Sequence, residues 1–129
     1  MTEQLILPHT RVYVCVTCRD AGDAPDALRA GARLFEGLVA SRDDALDIVP
    51  VECLSVCKRP CSVSFAAPGK WTYVYGDLPP EAAVPLIREA ARLYAAAPDG
   101  LIPWKLRPDA IKKGVVARIP PFPSEIARP

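Results

Sequence analysis

Histidine is almost missing from this chain: His9 is the only one among 129 residues. With a single imidazole, a serine–histidine–acid set has little to work with. His9 stands in a polar lead-in, where it is expected to be exposed rather than to act as a ligand. Charge of one sign is missing too. Sixteen basic residues face fifteen acidic ones, for a net charge of +1, so the global electrostatic footprint of a nucleic-acid or anionic-membrane binder is absent and no nucleic-acid partner is expected. The chain shows no phosphate-cradling glycine loop and no internal repeat. No apolar run approaches the length of a membrane span. Glu3 stands where a secretory signal would carry positive charge, so no membrane association and a cytoplasmic location are expected. Asp43 and Asp44 read as a turn rather than a catalytic pair.

What the chain does have is enough apolar material for a core. Half of its residues are hydrophobic and 24% are charged, the balance of an ordinary globular domain of this length. It also has five cysteines. An odd count without an export signal makes a disulfide framework the weaker reading and points to metal ligation or redox chemistry.

The run Arg11 to Cys15 alternates β-branched and aromatic residues and reads as a first strand. Asp23 and Asp26 flank Pro25 at a helix start, and Leu28, Gly31, Ala32, Phe35, Leu38 and Val39 then recur at helical spacing. Ser41 to Asp44 reads as a polar turn. Leu46 to Cys53 reads as a strand, with Pro50 placing it at a sheet edge or a bulge. Cys61 to Ala66 and Trp71 to Tyr75 alternate around the turn Pro68-Gly69-Lys70 and predict an antiparallel hairpin. Pro79 and Pro80, bracketed by Asp77 and Glu81, open a second helix. Its apolar face carries Ala83, Ile87, Ala90, Tyr94 and Ala97. Seven of the fifteen prolines fall from Pro98 onward, where only Asp109 to Lys113 looks helical. The expected organisation is a lead-in over 1–10, a β-α-β-β-β-α domain over 11–97 and a Pro-rich extension over 98–129. Strand–helix–strand at this length requires a parallel pair with a right-handed crossover, and the hairpin adds antiparallel strands. The result is a mixed four-stranded sheet with both helices packed on it, a thioredoxin-like α/β arrangement.

In that arrangement Cys15 and Cys18 lie at the end of the first strand, and Cys53 and Cys57 just past the end of the second. Parallel neighbours end on the same side, where open α/β sheets place ligands, so the two pairs can converge there. Four thiolates make a complete ligand set for a 2Fe-2S cluster or for tetrahedral zinc, and their softness excludes calcium and magnesium. The C-x3-C spacing of Cys53 and Cys57 departs from the usual zinc knuckle. Cys61 follows Cys57 by four residues and could replace Cys18 or Cys57, or stand nearby as a spare thiol. Two rival readings remain. Cys15-Val-Thr-Cys18 beside a βαβ pattern also fits a thiol–disulfide oxidoreductase, with Pro60 in the place of the thioredoxins' cis-proline. Against it, six residues separate Cys18 from Pro25, whereas such an enzyme wants its first cysteine at a helix N-terminus. The bland alternative is five buried, unreactive thiols, but core thiols would follow strand or helix periodicity rather than gather in turns. Lys58 and Arg59, between the last two cysteines, could offset the charge of a thiolate-bound centre or dock an acidic redox partner. Trp104, Lys105 and Arg107 could cover the cysteine loops or build a partner surface, or Trp104 could anchor a tail.

The segments Val-Cys-Val-Thr-Cys-Arg, Val-Glu-Cys-Leu-Ser-Val-Cys, Tyr-Gly-Asp-Leu and Asp-Gly-Leu-Ile-Pro-Trp, followed by Arg-Pro, resemble a bacterial family of uncharacterised metal-binding proteins across nearly the whole chain. That family is similar to the thioredoxin-like 2Fe-2S ferredoxins. The resemblance implies Cys15, Cys18, Cys53 and Cys57 as ligands of a 2Fe-2S cluster, an electron carrier or redox sensor rather than an enzyme, a redox partner protein, and a homodimer. Those ferredoxins separate their first two cysteines by more residues than this chain does, which keeps Cys61 in play as a ligand. The alternative function is a zinc- or cobalt-binding module in metal or cobalamin metabolism.

Overall fold

A computed structural model describes residues 10–19, 22–41 and 46–122; His9 and the pair Asp43–Asp44 lie outside the described residues. The alternating run after residue 9 forms β1 (Thr10–Cys15), and the apolar run around Pro50 forms β2 (Leu46–Val51), with α1 (Ala30–Ala40) between them. The crossover makes the two strands parallel neighbours, paired from Thr10 with Leu46 to Cys15 with Val51. Pro50 has no N–H to give to a ladder, and β2 is accordingly an edge strand.

β3 (Val63–Ala66) and β4 (Thr72–Tyr75) form the expected antiparallel hairpin, and α2 (Ala83–Ala96) follows it. β3 also pairs antiparallel with β1. The sheet then goes one strand further than the sequence pattern indicated. A 3-10 turn (Trp104–Leu106) and α3 (Asp109–Gly114) lead into β5 (Val115–Ile119), which pairs antiparallel with β4. The order is β2-β1-β3-β4-β5. β5 was hidden because it is an edge strand with four of its five residues exposed, so no buried face imposes a period-two pattern on it.

α1 also starts later than expected, at Ala30 rather than near Pro25. Asp23 caps it from a distance: its carboxylate accepts from the Ala30 N–H at 3.0 Å and from the Arg33 guanidinium at 3.1 Å. Arg33 in turn pairs with Glu81 at 2.8 Å, tying α1 to the lead-in of α2. The face that α1 buries is Ala30, Gly31, Leu34 and Leu38. Leu28 and Val39, expected on that face, are 50% and 40% exposed. On α2 the expected face of Ala83, Ile87, Ala90, Tyr94 and Ala97 is buried in full.

Both helices lie against β1 and against each other, so they cover one face of the sheet. Beneath them sit Val12, Val14, Val63 and the fully buried rings of Phe65, Tyr73 and Tyr75, which the buried Tyr94 of α2 meets from above. These rings meet edge-on or stacked at centroid distances of 5.1 to 6.2 Å, the arrangements that ring quadrupoles favour. The Tyr94 hydroxyl donates to the Trp71 carbonyl at 2.5 Å. Cys15 closes β1, and Cys53 follows the end of β2 by two residues. No helix among the described residues is long and apolar enough to cross a membrane.

Candidate metal centre

Cys15 is the last residue of β1, and Cys53 lies two residues past the end of β2. The parallel ladder continues beyond both strands, with the Val16 N–H donating to the Val51 carbonyl at 2.9 Å. The Thr17 hydroxyl donates to the Glu52 carbonyl, and the Cys15 thiol lies 3.5 Å from the same oxygen. The loops that carry the two cysteine pairs are therefore laced together at their roots.

Each loop has its own internal order. In Cys53-Leu-Ser-Val-Cys57 the central Ser55 takes a left-handed backbone, φ 63°. That turns its N–H onto the Cys53 sulfur at 3.1 Å and brings the Cys53 and Cys57 sulfurs to 3.9 Å from each other. Both thiols are exposed. The other pair is buried, with Cys15 at 2% and Cys18 at 6%. Cys18 contacts the Ser62 hydroxyl at 3.6 Å. Its carbonyl accepts from the Gly31 N–H at 3.1 Å, and Arg29 donates to the Thr17 carbonyl at 3.1 Å. Sequence distance thus misled on one point: although many residues separate Cys18 from α1, the loop's backbone is seated on that helix's first turn. A Cβ at Gly31 would fall 2.0 Å from the Cys15 carbonyl oxygen and 3.2 Å from the Cys18 Cβ. Only glycine allows this seating.

The thiols differ in proton affinity. Burial pushes Cys15 up, but donation from the Thr17 hydroxyl, the Cys18 thiol and the Thr17 and Leu54 backbone outweighs it, leaving Cys15 below its ordinary value. Burial, and then its own donation to Cys15, push Cys18 up to about 11. Cys57 is raised, chiefly by its hydrogen bond with Cys53 and by charge there, with a smaller effect of charge at Cys15. Among the described residues, no three histidine, cysteine, aspartate or glutamate side chains converge on one point; the thiols stand as two pairs on adjoining loops.

Cys61 is placed differently. Its backbone exchanges hydrogen bonds with Leu78, at 3.1 and 3.2 Å, extending the β3–β4 ladder. It precedes β3 by two residues, and its neighbour Ser62 is the residue that meets Cys18. It is 1% exposed and lines a shallow cleft of about 270 Å³ with Pro60, Asp77, Leu78, Pro79 and Pro80. The cis bond in this loop lies between Pro60 and Cys61 rather than before Pro60. Lys58 is exposed, and Arg59 pairs with Asp77 at 2.7 Å. Trp104 does not anchor the C-terminal segment: it is 59% exposed, while Ile102 and Ile111 are the buried anchors. Gly31, Ser55, Thr17 and Ser62 were not singled out from sequence as parts of this site; only the serine at the centre of the C-x3-C loop carried a readable hint.

A mixed sheet with its helices on one face and cysteine loops at the carboxyl ends of its parallel pair defines a thioredoxin-like α/β protein. The chain belongs to a family of proteins of unknown function, DUF1636, which matches it over residues 12–121. Its fold is similar to that of a thioredoxin-like [2Fe-2S] ferredoxin from Aquifex aeolicus, with a TM-score of 0.55 and 21% identity over 85% of this chain and 92% of that one. A second structure, of the wild-type thioredoxin-like [2Fe-2S] ferredoxin from the same organism, gives a TM-score of 0.53 and 19% identity over 84% and 97%. No curated protein matches the chain.

Proposed function

We infer that this chain holds a 2Fe-2S cluster on Cys15, Cys18, Cys53 and Cys57 and works as a one-electron carrier or redox sensor. The observation that carries this reading is the lacing of two cysteine pairs at the carboxyl ends of two parallel neighbours. The donor set fits: four soft thiols suit an iron–sulfur centre. The 3.9 Å between the Cys53 and Cys57 sulfurs matches two ligands of one tetrahedral metal, since metal–sulfur bonds of about 2.3 Å set such sulfurs roughly 3.8 Å apart. Two separate pairs favour a two-metal centre over a single zinc, which needs all four thiols within that distance. The similar solved folds are described as [2Fe-2S] ferredoxins, which supports the same choice.

When bound, the cluster would exchange single electrons. The chain's own part is to hold and tune it. The Ser55 N–H donates to the Cys53 sulfur, burial shields the Cys15–Cys18 side, and the exposed Cys53–Cys57 side faces a partner. Cys61, buried and bonded through its backbone to Leu78, is a structural thiol in this reading. The cytoplasm, a redox partner protein and a homodimer complete the proposal.

Protein purified anaerobically should be reddish-brown, with about two irons and two labile sulfides per chain. Cys53→Ser and Cys57→Ser should lose the colour, and Cys61→Ser should keep it. One colourless zinc per chain without sulfide would replace this reading with the zinc- or cobalt-handling module. Metal-free protein that reduces a disulfide substrate, and stops doing so on Cys15→Ser, would replace it with the oxidoreductase.

A further inference from the structure

The chain's charge is nearly balanced as a whole but not locally. Residues 104–118 carry five basic side chains, Lys105, Arg107, Lys112, Lys113 and Arg118, against the single acid Asp109, a local excess of four in a chain of net charge +1. The fold brings this segment to the cysteine loop. Arg59, two residues past Cys57, donates to the Lys113 carbonyl at 3.2 Å, and the Gly76 N–H that follows β4 donates to the Gly114 carbonyl at 2.8 Å. On the far side of α3 the Lys112 ammonium and the Arg107 guanidinium lie 5.1 and 5.3 Å from the centre of the Trp104 ring. That ring is 59% exposed, and Leu106 beside it is 54% exposed. The backbone of 113–114 thus adjoins the loop that carries Cys57, exposed Lys58 and the Asp77-paired Arg59, and α3 carries the exposed Lys113 and, next to it, Lys112 beside the Trp104 ring.

We propose that a band made of Lys58, Lys113, Lys112, Lys105 and the exposed Trp104 is the docking surface for an acidic redox protein that exchanges electrons beside Cys53 and Cys57. The placement beside a redox centre rests on the iron–sulfur reading above; the binding surface itself does not need a metal. The composition favours a protein over a nucleic acid. An exposed tryptophan and leucine supply the apolar anchor that protein interfaces use, and the lysines around them supply steering and register. The Arg107 and Lys112 cations within 5.3 Å of the Trp104 ring centre favour one ring placement, which reduces the ordering cost of binding.

The test uses the full-length purified chain and an acidic flavodoxin as probe, with binding followed by amide shifts in ¹⁵N-labelled protein and by titration at about 20 and 200 mM salt. The expected result is saturable binding, shifts centred on residues 57–59 and 104–113, and a loss of about tenfold or more in affinity at the higher salt. Lys58→Glu and Lys113→Glu should each weaken binding several-fold, and together with Lys105→Glu should abolish it. Trp104→Ala should weaken it without changing its salt dependence. Arg11→Glu, a matched charge change at the opposite end of β1, should leave it unchanged. Absence of saturable binding at low salt, or binding that ignores the three reversals, overturns the proposal. So does tighter binding of a 20-nucleotide single strand through the same residues. Metal analysis of the same sample is a separate readout: a zinc-loaded chain that still binds through the band would sink the iron–sulfur reading and leave the docking surface standing.

Discussion

If the cysteine loops hold the proposed cluster, Gly31 is the position where a single methyl group separates folding from metal holding. In Gly31→Ala the new Cβ would lie 2.0 Å from the Cys15 carbonyl oxygen, where real contacts are essentially never under 3.0 Å. The obstacle is backbone, so either α1 or the Cys15–Cys18 loop must retreat by about 1 Å or more. Overpacking of that kind costs about 1–3 kcal/mol, and exchanging glycine for alanine in a helix returns about 1 kcal/mol. The metal-free variant should therefore be only about 0–2 kcal/mol less stable. A ligand constellation, in contrast, tolerates roughly 0.5 Å of displacement, so the shift of Cys15 and Cys18 should empty the site. Urea unfolding of the metal-free protein, paired with iron and sulfide per chain after anaerobic reconstitution, reads both effects. A Gly31→Ala protein that holds the wild-type complement of metal would refute the seating of the loop on α1. A loss of more than about 3 kcal/mol would refute the separation of the two effects, because it would mean that the whole strand-end framework had moved.

Ser55→Gly should keep metal content and stability, because glycine reaches φ 63° freely, whereas Ser55→Val should lose about 1–2 kcal/mol and shed metal readily. Equal metal retention by the two variants would count against the N–H to Cys53 contact. Metal loading should tighten as pH rises, because the Cys18 thiol, pushed up to about 11, and the raised Cys57 thiol must release protons to bind. Loading curves that coincide at pH 6.5 and 8.5 would contradict those directions. For the metal-free chain the sign reverses. Cys18 rises from 9.0 to about 11 on folding, so the folded form holds its proton more tightly, and stability present below pH 9 should fall between about pH 9 and 11. Urea midpoints across that range test it, and Cys18→Ser should flatten the fall. Tyr75→Phe should leave stability unchanged or raise it by up to about 1 kcal/mol, because the Tyr75 hydroxyl is buried without a hydrogen-bond partner among the described residues. A loss of 1 kcal/mol or more on thermal unfolding would show that the hydroxyl is satisfied.

What the sequence revealed and what it concealed divide along one physical line. β1 and the start of β2 were readable because the apolar residues Val12, Val14, Leu46 and Ile48 answer a core directly beneath them, so Cys15 fell at its strand end, while β2 stops at Val51 rather than running on to Cys53. The face of α2 was readable for the same reason, with a 3.6-residue period reporting one continuous buried surface. The features that escaped depend on contacts from distant parts of the chain. The start of α1 is set by Asp23, seven residues before the amide it caps, a geometry that the usual rule of a cap adjacent to the first turn does not cover. β5 is held by its partner β4 and buries almost nothing of its own. Gly31 looked like one more small residue on an apolar helix face, yet the atom it must avoid is a carbonyl that closes the preceding strand.

The Gly31 contact bears on the chemistry of the cysteines. The six residues between Cys18 and Pro25 suggest a Cys15–Cys18 pair free of any helix dipole, which weighs against a dithiol enzyme. The fold removes that reason, because the Gly31 N–H meets the Cys18 carbonyl. It supplies a better one in the same contact. The helix amides are taken up by the Cys18 carbonyl and by Asp23, so the helix steadies the loop's backbone rather than a thiolate. Cys18 is pushed up by its burial and its donation to Cys15, Cys15 is lowered by its neighbours, and both are buried. A dithiol enzyme needs an attacking sulfur open to its substrate. Here the exposed sulfurs are Cys53 and Cys57, held on a loop of their own. A buried pair seated on a helix and an exposed pair on the adjoining loop suit the proposed centre, enclosed on one side and open on the other.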